Sequence, residues 1–417
     1  MPSWATSTPL FHETDASAQA AAPGLPEVVR EDLAEAGRWL APLTVRHPLY
    51  DEMVRWFVRR HGPGAGGVDL LGFLYSFLEV ADLAALARRT PGPHPGEGGA
   101  DRLRGHGTLG HAGHAVFFQI AAADAARIAD GEYDMIVNLV HSGATGLLSR
   151  WTGVPAVHDR LAEPLTDWVR QRHPGCTVYQ VAAHGDWLDL QRPTLRTLPR
   201  LRCPGDLADP GADADLAELA LAHDPATGTL QASGRDGAPV AFSYLGTVPQ
   251  YLLTGPVQLL CLLSDPWISM GRVDRDRRVL DDGDSAGVTV LPQLRQGRIV
   301  WARKRWSFSP EDLPQPRHRQ APVEFLAEVD RWRSRHGLPD EVFVTQIVRR
   351  PTGAEKDKPQ WLGFDHPHSI WAVLGHLRVD AARIDVAEAL PHRGHHWADG
   401  PDGRPVATEF LGLVSHA

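Results

Sequence analysis

The chain has 417 residues, 43% of them hydrophobic and 22% charged, with a formal net charge of -9. This balance suits a globular protein with a sizeable core and argues against a wholly basic nucleic-acid coat, though not against a local basic patch. Cys176, Cys203 and Cys261 lie too far apart for a disulfide framework or a cysteine-rich zinc site, which fits a reducing cytoplasm.

Residues 1–26, rich in Ala, Ser, Thr and Pro, read as a flexible leader with no signal-peptide pattern. No stretch approaches the roughly 18 apolar residues that span a bilayer. Helical spacing of apolar residues predicts helices over Val28–Leu43, Leu49–His61 and Asp69–Arg89, followed by a Gly- and Pro-rich loop, Thr90–Gly113. Strands are expected at Ala115–Ile120, Met135–Val140 and Thr177–Val181, with helices at Ala122–Ala129 and Leu161–Arg172 between them. A hairpin turns at Gly234–Gly237, and Tyr251–Leu263 reads as a buried segment of either type. A strand over Arg298–Trp306 precedes a helix at Val323–His336, stopped by Gly337 and Pro339. Strands at Glu341–Ile347, Trp361–Phe364 and Ala407–Val414, with a helix at Ser369–Leu377, complete an α+β chain of mixed sheets with packed helices.

The densest basic cluster is Pro292–Trp306, which carries Arg295, Arg298, Arg303, Lys304 and Arg305. Guanidinium forks bind phosphate or carboxylate in bidentate fashion. Strand alternation would put Arg303 and Arg305 on one face and Lys304 and Trp306 on the other. The same residues also suit a solvated edge strand whose charges discourage aggregation.

Gly143-Ala-Thr-Gly146, with Arg150 just beyond, could turn backbone N–H groups toward an anion, or simply reverse the chain. His106, His111 and His114, like His392, His395 and His396, match no helix-based zinc motif, and Asp281–Asp284 lacks the spaced oxygens of a calcium loop, so no metal is expected. The sequence holds no GxSxG nucleophile motif between an expected strand and helix, no GxxxxGK(S/T) phosphate loop and no GxGxxG following an expected strand.

Several segments, in order, resemble lantibiotic dehydratases. Leu49 to Leu71, with Phe57, Arg60, Gly62 and Val68-Asp-Leu-Leu71, is similar to that family's helix and turn, with His61 where Tyr is usual. Ala121 to Leu139, Ser149-Arg150-Trp151 and Leu291 to Trp306 follow, with Gln293 at a position usually Arg. Gly337 to Val344, Lys358 to Pro367, Glu388 to Pro391 and Gly403 to Glu409 continue the series.

The resemblance implies that 27–417 form part of the tRNA-dependent glutamylation domain, divisible into lobes 27–200 and 201–417, with one continuous sheet through Arg298–Trp306 and Ala407–Val414. It implies a subunit of a split glutamyl (aminoacyl) transferase that modifies Ser or Thr of a ribosomally made precursor peptide, in lanthipeptide- or thiopeptide-type biosynthesis. Arg150 becomes the active-site candidate, and Arg295, Arg298, Arg303, Lys304 and Arg305 become candidate contacts for substrate or tRNA. Glutamyl-tRNA would be the co-substrate, with no other cofactor. The expected partners are the peptide, the tRNA, and a second protein supplying the rest of the domain and an elimination domain. A peptide-aminoacyl-tRNA ligase-like component and an inactive peptide- or tRNA-binding scaffold are the alternative readings.

Overall fold

The computed structural model describes residues 25–81, 103–142, 155–182, 195–203, 212–246, 253–269, 288–350, 353–378, 380–400 and 402–416. Helix α1 (Glu27–Leu40) buries Val29, Ala36 and Leu40 along one stripe. In α2 (Pro48–His61), Pro48 sits in the first turn, where its missing N–H costs nothing, and His47 Nδ1 accepts from the Leu49 amide at 3.0 Å. Asp69 caps α3 (Leu70–Val80) by accepting from the amides of Leu71 and Gly72. That helix buries Leu70, Phe73, Leu74 and Phe77, at the i, i+3, i+4, i+7 spacing of one helical face. The expected continuation to Arg89 lies outside the described residues, as does the greater part of Thr90–Gly113.

Asp124 caps the short α4 (Ala125–Ala129), and α5 (Pro155–Arg172) tolerates Pro164 in its interior. The segment of open type proves to be helical, as α6 (Gly255–Ser264). It packs with α2 and α3 in the largest apolar cluster, which includes Tyr50, Phe57, Phe73, Phe77, Phe242 and Leu260. Each such fully buried side chain stabilises the fold by about 1.5–3 kcal/mol.

Three sheets organise the chain. The first, beside α2, α3 and α6, runs Val68–Asp69, Ala220–Asp224, Thr229–Ser233, Pro239–Tyr244 and Thr177–Val181, the last pair parallel. The central sheet runs Leu294–Gln296, Ile299–Ala302, Asp134–Ser142, Gly113–Ala121 and Phe410–Ser415. Helix α1 covers one of its faces, where Trp39 stacks on Trp301 with ring centroids 4.2 Å apart. The third sheet runs Thr289–Leu291, Arg305–Phe308, Ala381–Glu388, Glu341–Arg350 and Gly353–Lys356, with Gln360–Gly363 pairing on the strand Glu341–Arg350. Helices α7 (Pro322–His336) and α8 (Pro367–Leu374) cover one face of this third sheet. Both five-stranded sheets draw strands from either side of residue 200.

The expected strand Arg298–Trp306 is corrected. It breaks at Arg303-Lys304, so that Ile299–Ala302 belongs to the central sheet and Arg305–Phe308 to the third. The physical reason lies in what each half buries. Ile299 and Trp301 face α1, whereas Trp306 and Phe308 join the cluster built by α7 and α8. The continuous sheet expected to reach the C-terminal strand is present, from Ile299–Ala302 through to Phe410–Ser415.

Candidate nucleic-acid interface

The basic segment runs along the seam between the central and third sheets, and its side chains diverge. Arg295 pairs with Asp134 on the parallel neighbour of its hairpin and also donates to the Gly297 carbonyl. Arg298 forks onto both carboxylate oxygens of Asp32 in α1, at 2.8 and 2.9 Å, and lies over the Tyr133 ring. Tyr133 also donates to Asp32; burial, followed by that carboxylate, raises its phenol above its ordinary range.

Arg303 turns toward the central sheet and donates to Asn138 Oδ1 and the Leu390 carbonyl, each at 2.8 Å. Burial lowers its pKa, opposed by the carboxylates of Glu388 and Glu409. Arg305 faces the third sheet, with Nη1 3.6 Å from Asp385. The expectation that Arg303 and Arg305 share a face is therefore corrected: the sheet crossover between them points them at different sheets. Lys304 and Trp306 do meet, with the ammonium 4.7 Å from the ring centroid.

Gln293, at the position usually Arg in the resemblance, donates to Glu388 Oε1 at 2.7 Å, and the same oxygen accepts from the Lys304 amide. A glutamine here links the segment to the third sheet without adding charge. Beside Arg303, Asn138 donates to Glu409 Oε1 at 2.7 Å and to Gln119 Oε1 at 3.3 Å. This carboxylate–amide–guanidinium chain crosses the central sheet on the side away from α1, and sequence reading missed it. Gln119, Asn138 and Glu409 are far apart in the chain and meet only through strand register.

Arg150, the turn Gly143–Gly146 and the acidic run Asp281–Asp284 lie outside the described residues. His114 is buried, with Nε2 2.9 Å from Thr44 Oγ1, and burial followed by the charge of His416 pushes its imidazole down to about 3. His111 accepts from the Gly105 amide, and His392 and His395 meet ring to ring at 6.1 Å. Among the described residues, no three His, Cys, Asp or Glu side chains are grouped to hold a metal ion. A cleft of about 640 Å³, which the sequence did not signal, opens at the end of the third sheet beside Arg333, Asp340, Glu341, Asp365 and Arg393. Both of its guanidiniums are already countered, Arg333 by Asp340 and Arg393 by Glu341 and Asp365.

No family model and no curated protein matches the sequence. Solved structures do match in fold. The glutamylation domain of TbtB from thiomuracin biosynthesis, bound to 5'-phosphodesmethylglutamycin, superposes with a TM-score of 0.62 at 18% identity, over 93% of this chain and 49% of that one. The same domain without that compound gives 0.60 at 19% identity, over 92% and 49%. The tRNA-dependent lantibiotic dehydratase MibB from Microbispora sp. 107891 gives 0.59 at 17% identity, over 94% and 40%. The chain thus spans about half the length of the TbtB domain and less of MibB. Over nearly all of its own length, it carries the fold of the lantibiotic dehydratase glutamylation domain.

Proposed function

We propose that this chain is one portion of a split tRNA-dependent glutamyl transferase that acts on Ser or Thr of a ribosomally made precursor peptide. The observation that carries the reading is the fold match over 93% of the chain to a glutamylation domain. In the reaction, the peptide hydroxyl attacks the ester carbonyl that joins glutamate to tRNA. The hydroxyl proton is lost, the tetrahedral oxyanion collapses, and the terminal ribose hydroxyl of the tRNA departs with a proton. The ester is already activated, so no ATP is consumed. The protein's task is to hold tRNA and peptide together and to stabilise the oxyanion.

Arg150 is assigned to contact the reacting ester. Lys304, on the seam between two sheets, is assigned to tRNA phosphate, and Arg305, 3.6 Å from Asp385, to holding the third sheet beside it. Arg295, Arg298 and Arg303 would then act mainly by fixing the seam, since each is engaged by a partner within the chain. A second protein supplies the remaining half of the domain. Glutamate transfer is tested by incubating the chain and that partner with radiolabelled glutamyl-tRNA and the precursor peptide. Label should appear on the peptide and disappear with Arg150→Ala. Transfer that survives Arg150→Ala would remove the site assignment, and no transfer with any partner would sink the transferase reading.

The engagement of those three arginines favours one second reading, a peptide- or tRNA-binding scaffold without chemistry. It predicts tRNA binding with no transferred label.

A further inference from the structure

The third sheet has one face covered by α7 and α8, through Trp306, Phe308, Val342, Val344, Ile384 and Val386. Strand alternation then fixes what the other face carries. Register places Arg305 opposite Ala387, Ser307 opposite Asp385, and Asp385 opposite Thr345. Arg383 stands opposite Ile347, and Ile347 opposite Lys356. Arg349 is two residues beyond Ile347, on the same side. Four cationic side chains from four adjacent strands therefore share the face turned away from the helices.

Their neutralisation is uneven. Asp385 accepts from Arg383 Nε at 3.0 Å and from Ser307 Oγ at 2.8 Å, and lies 3.6 Å from Arg305. Among the described residues, that buried carboxylate serves the centre of the face. Arg349 and Lys356 are exposed and make no ion pair among the described residues. Burial lowers the pKa of Arg383, and the charges of Arg305 and Arg349 lower it further, against the pull of Asp385. Such a cluster gains from a bound anion.

The face also carries an aromatic ring. Trp361 stands opposite Phe343 in register and is 39% exposed. Arg393 backs this indole, with its guanidinium 5.3 Å from the ring centroid. The strands bearing Arg305 and Lys356 are separated by three sheet spacings, roughly 14 Å, which is wider than one phosphate group can bridge. A row of cations of that width beside an exposed aromatic suits a chain of phosphates with bases free to stack.

We propose that this open face of the third sheet binds the RNA backbone, with Arg349, Lys356 and Arg383 contacting phosphates and Trp361 stacking a base. The proposal deepens the tRNA-dependent reading above and rests on it for the identity of the RNA. It enlarges the basic segment, since Arg349, Lys356 and Arg383 come from strands the segment does not contain. Arg383 also positions Asp385, so the informative variants are those at exposed positions.

The test measures tRNA affinity by filter binding across a salt series, for the wild-type chain and for Arg349→Ala/Lys356→Ala and Trp361→Ala, with circular dichroism to confirm folding. The double variant should bind about 10-fold more weakly at low salt, with a slope of log affinity against log salt smaller by about 2. Trp361→Ala should bind about 10-fold more weakly with the slope unchanged. Wild-type affinity and slope in both variants would overturn the proposal while leaving the transferase reading intact. RNA binding lost in these variants, from a chain that transfers no glutamate with any partner, would support the surface and sink the transferase. Displacement of the tRNA by millimolar inorganic phosphate would show a single-anion site and overturn the backbone assignment.

Discussion

Arg298 and Asp32 show how a residue can look like a ligand contact in sequence and act as a tie in the fold. The guanidinium reaches from the hairpin of the central sheet to α1, two elements far apart in the chain, and joins them by two hydrogen bonds. Arg298 is 37% exposed, so water screens part of the attraction, and Arg298→Ala should lower stability by only about 1 kcal/mol. Urea unfolding checks this; no change would mean the pair contributes nothing net. The buried pair Arg172–Asp265 is a different case, with side chains 2% and 6% exposed and an N–O distance of 2.9 Å. Arg172→Ala leaves a buried carboxylate without its cation and should cost about 3–5 kcal/mol. A loss below 1 kcal/mol by urea unfolding would mean that water reaches Asp265 once the arginine is gone. Sequence marked Arg298 as basic but could not reveal Asp32 as its partner, because that contact depends on how α1 lies across the sheet.

At the scale of elements, what was legible was local. Helix α7 was read nearly to its ends because its apolar stripe and its stop signal lie within a few residues of each other. Gly337 adopts φ 59°, and its amide returns to the carbonyls of Arg333 and Ser334. A methyl group there would touch nothing, so Gly337→Ala isolates the backbone cost of a left-handed residue. A loss of about 1 kcal/mol in thermal or urea unfolding is expected; an unchanged midpoint would place the helix stop elsewhere. The turn Gly234–Gly237 was equally local, with the Gly234 amide bonded to the Ala238 carbonyl. The strand Ala381–Glu388 was missed, although it lies inside the third sheet. Its buried Ile384 and Val386 alternate with Arg383 and Asp385, and charges in a central strand are explained only by neighbours contributed by other strands. The break at Arg303-Lys304 escaped for a related reason. Both halves have strand composition, and only the packing on α1 or on α7 and α8 decides which sheet each joins.

At the scale of the whole molecule, the buried histidines couple the fold to pH. Burial holds His114 and His173 at about 3, against an ordinary value of 6.5. In the unfolded chain each takes up a proton near 6.5, so the unfolded state binds more protons as pH falls from 6.5 toward 3. Folding stability should therefore drop with acidity across that window, by up to about 1.4 kcal/mol per pH unit for each histidine. Urea midpoints measured from pH 7 to pH 5 should fall, and His114→Asn should shallow the slope; a flat profile would mean these rings protonate without unfolding.

Both five-stranded sheets draw strands from either side of residue 200, and the fold match likewise extends over 93% of the chain at 18% identity. The central claim is that this fold, half the length of the glutamylation domain it matches, engages tRNA. Filter binding of glutamyl-tRNA to the chain, alone and with the proposed second protein, tests it. The complex should weaken steeply between about 50 and 200 mM salt, as release of several counterions requires. Absence of tRNA binding at low salt, even with that second protein present, would contradict the claim.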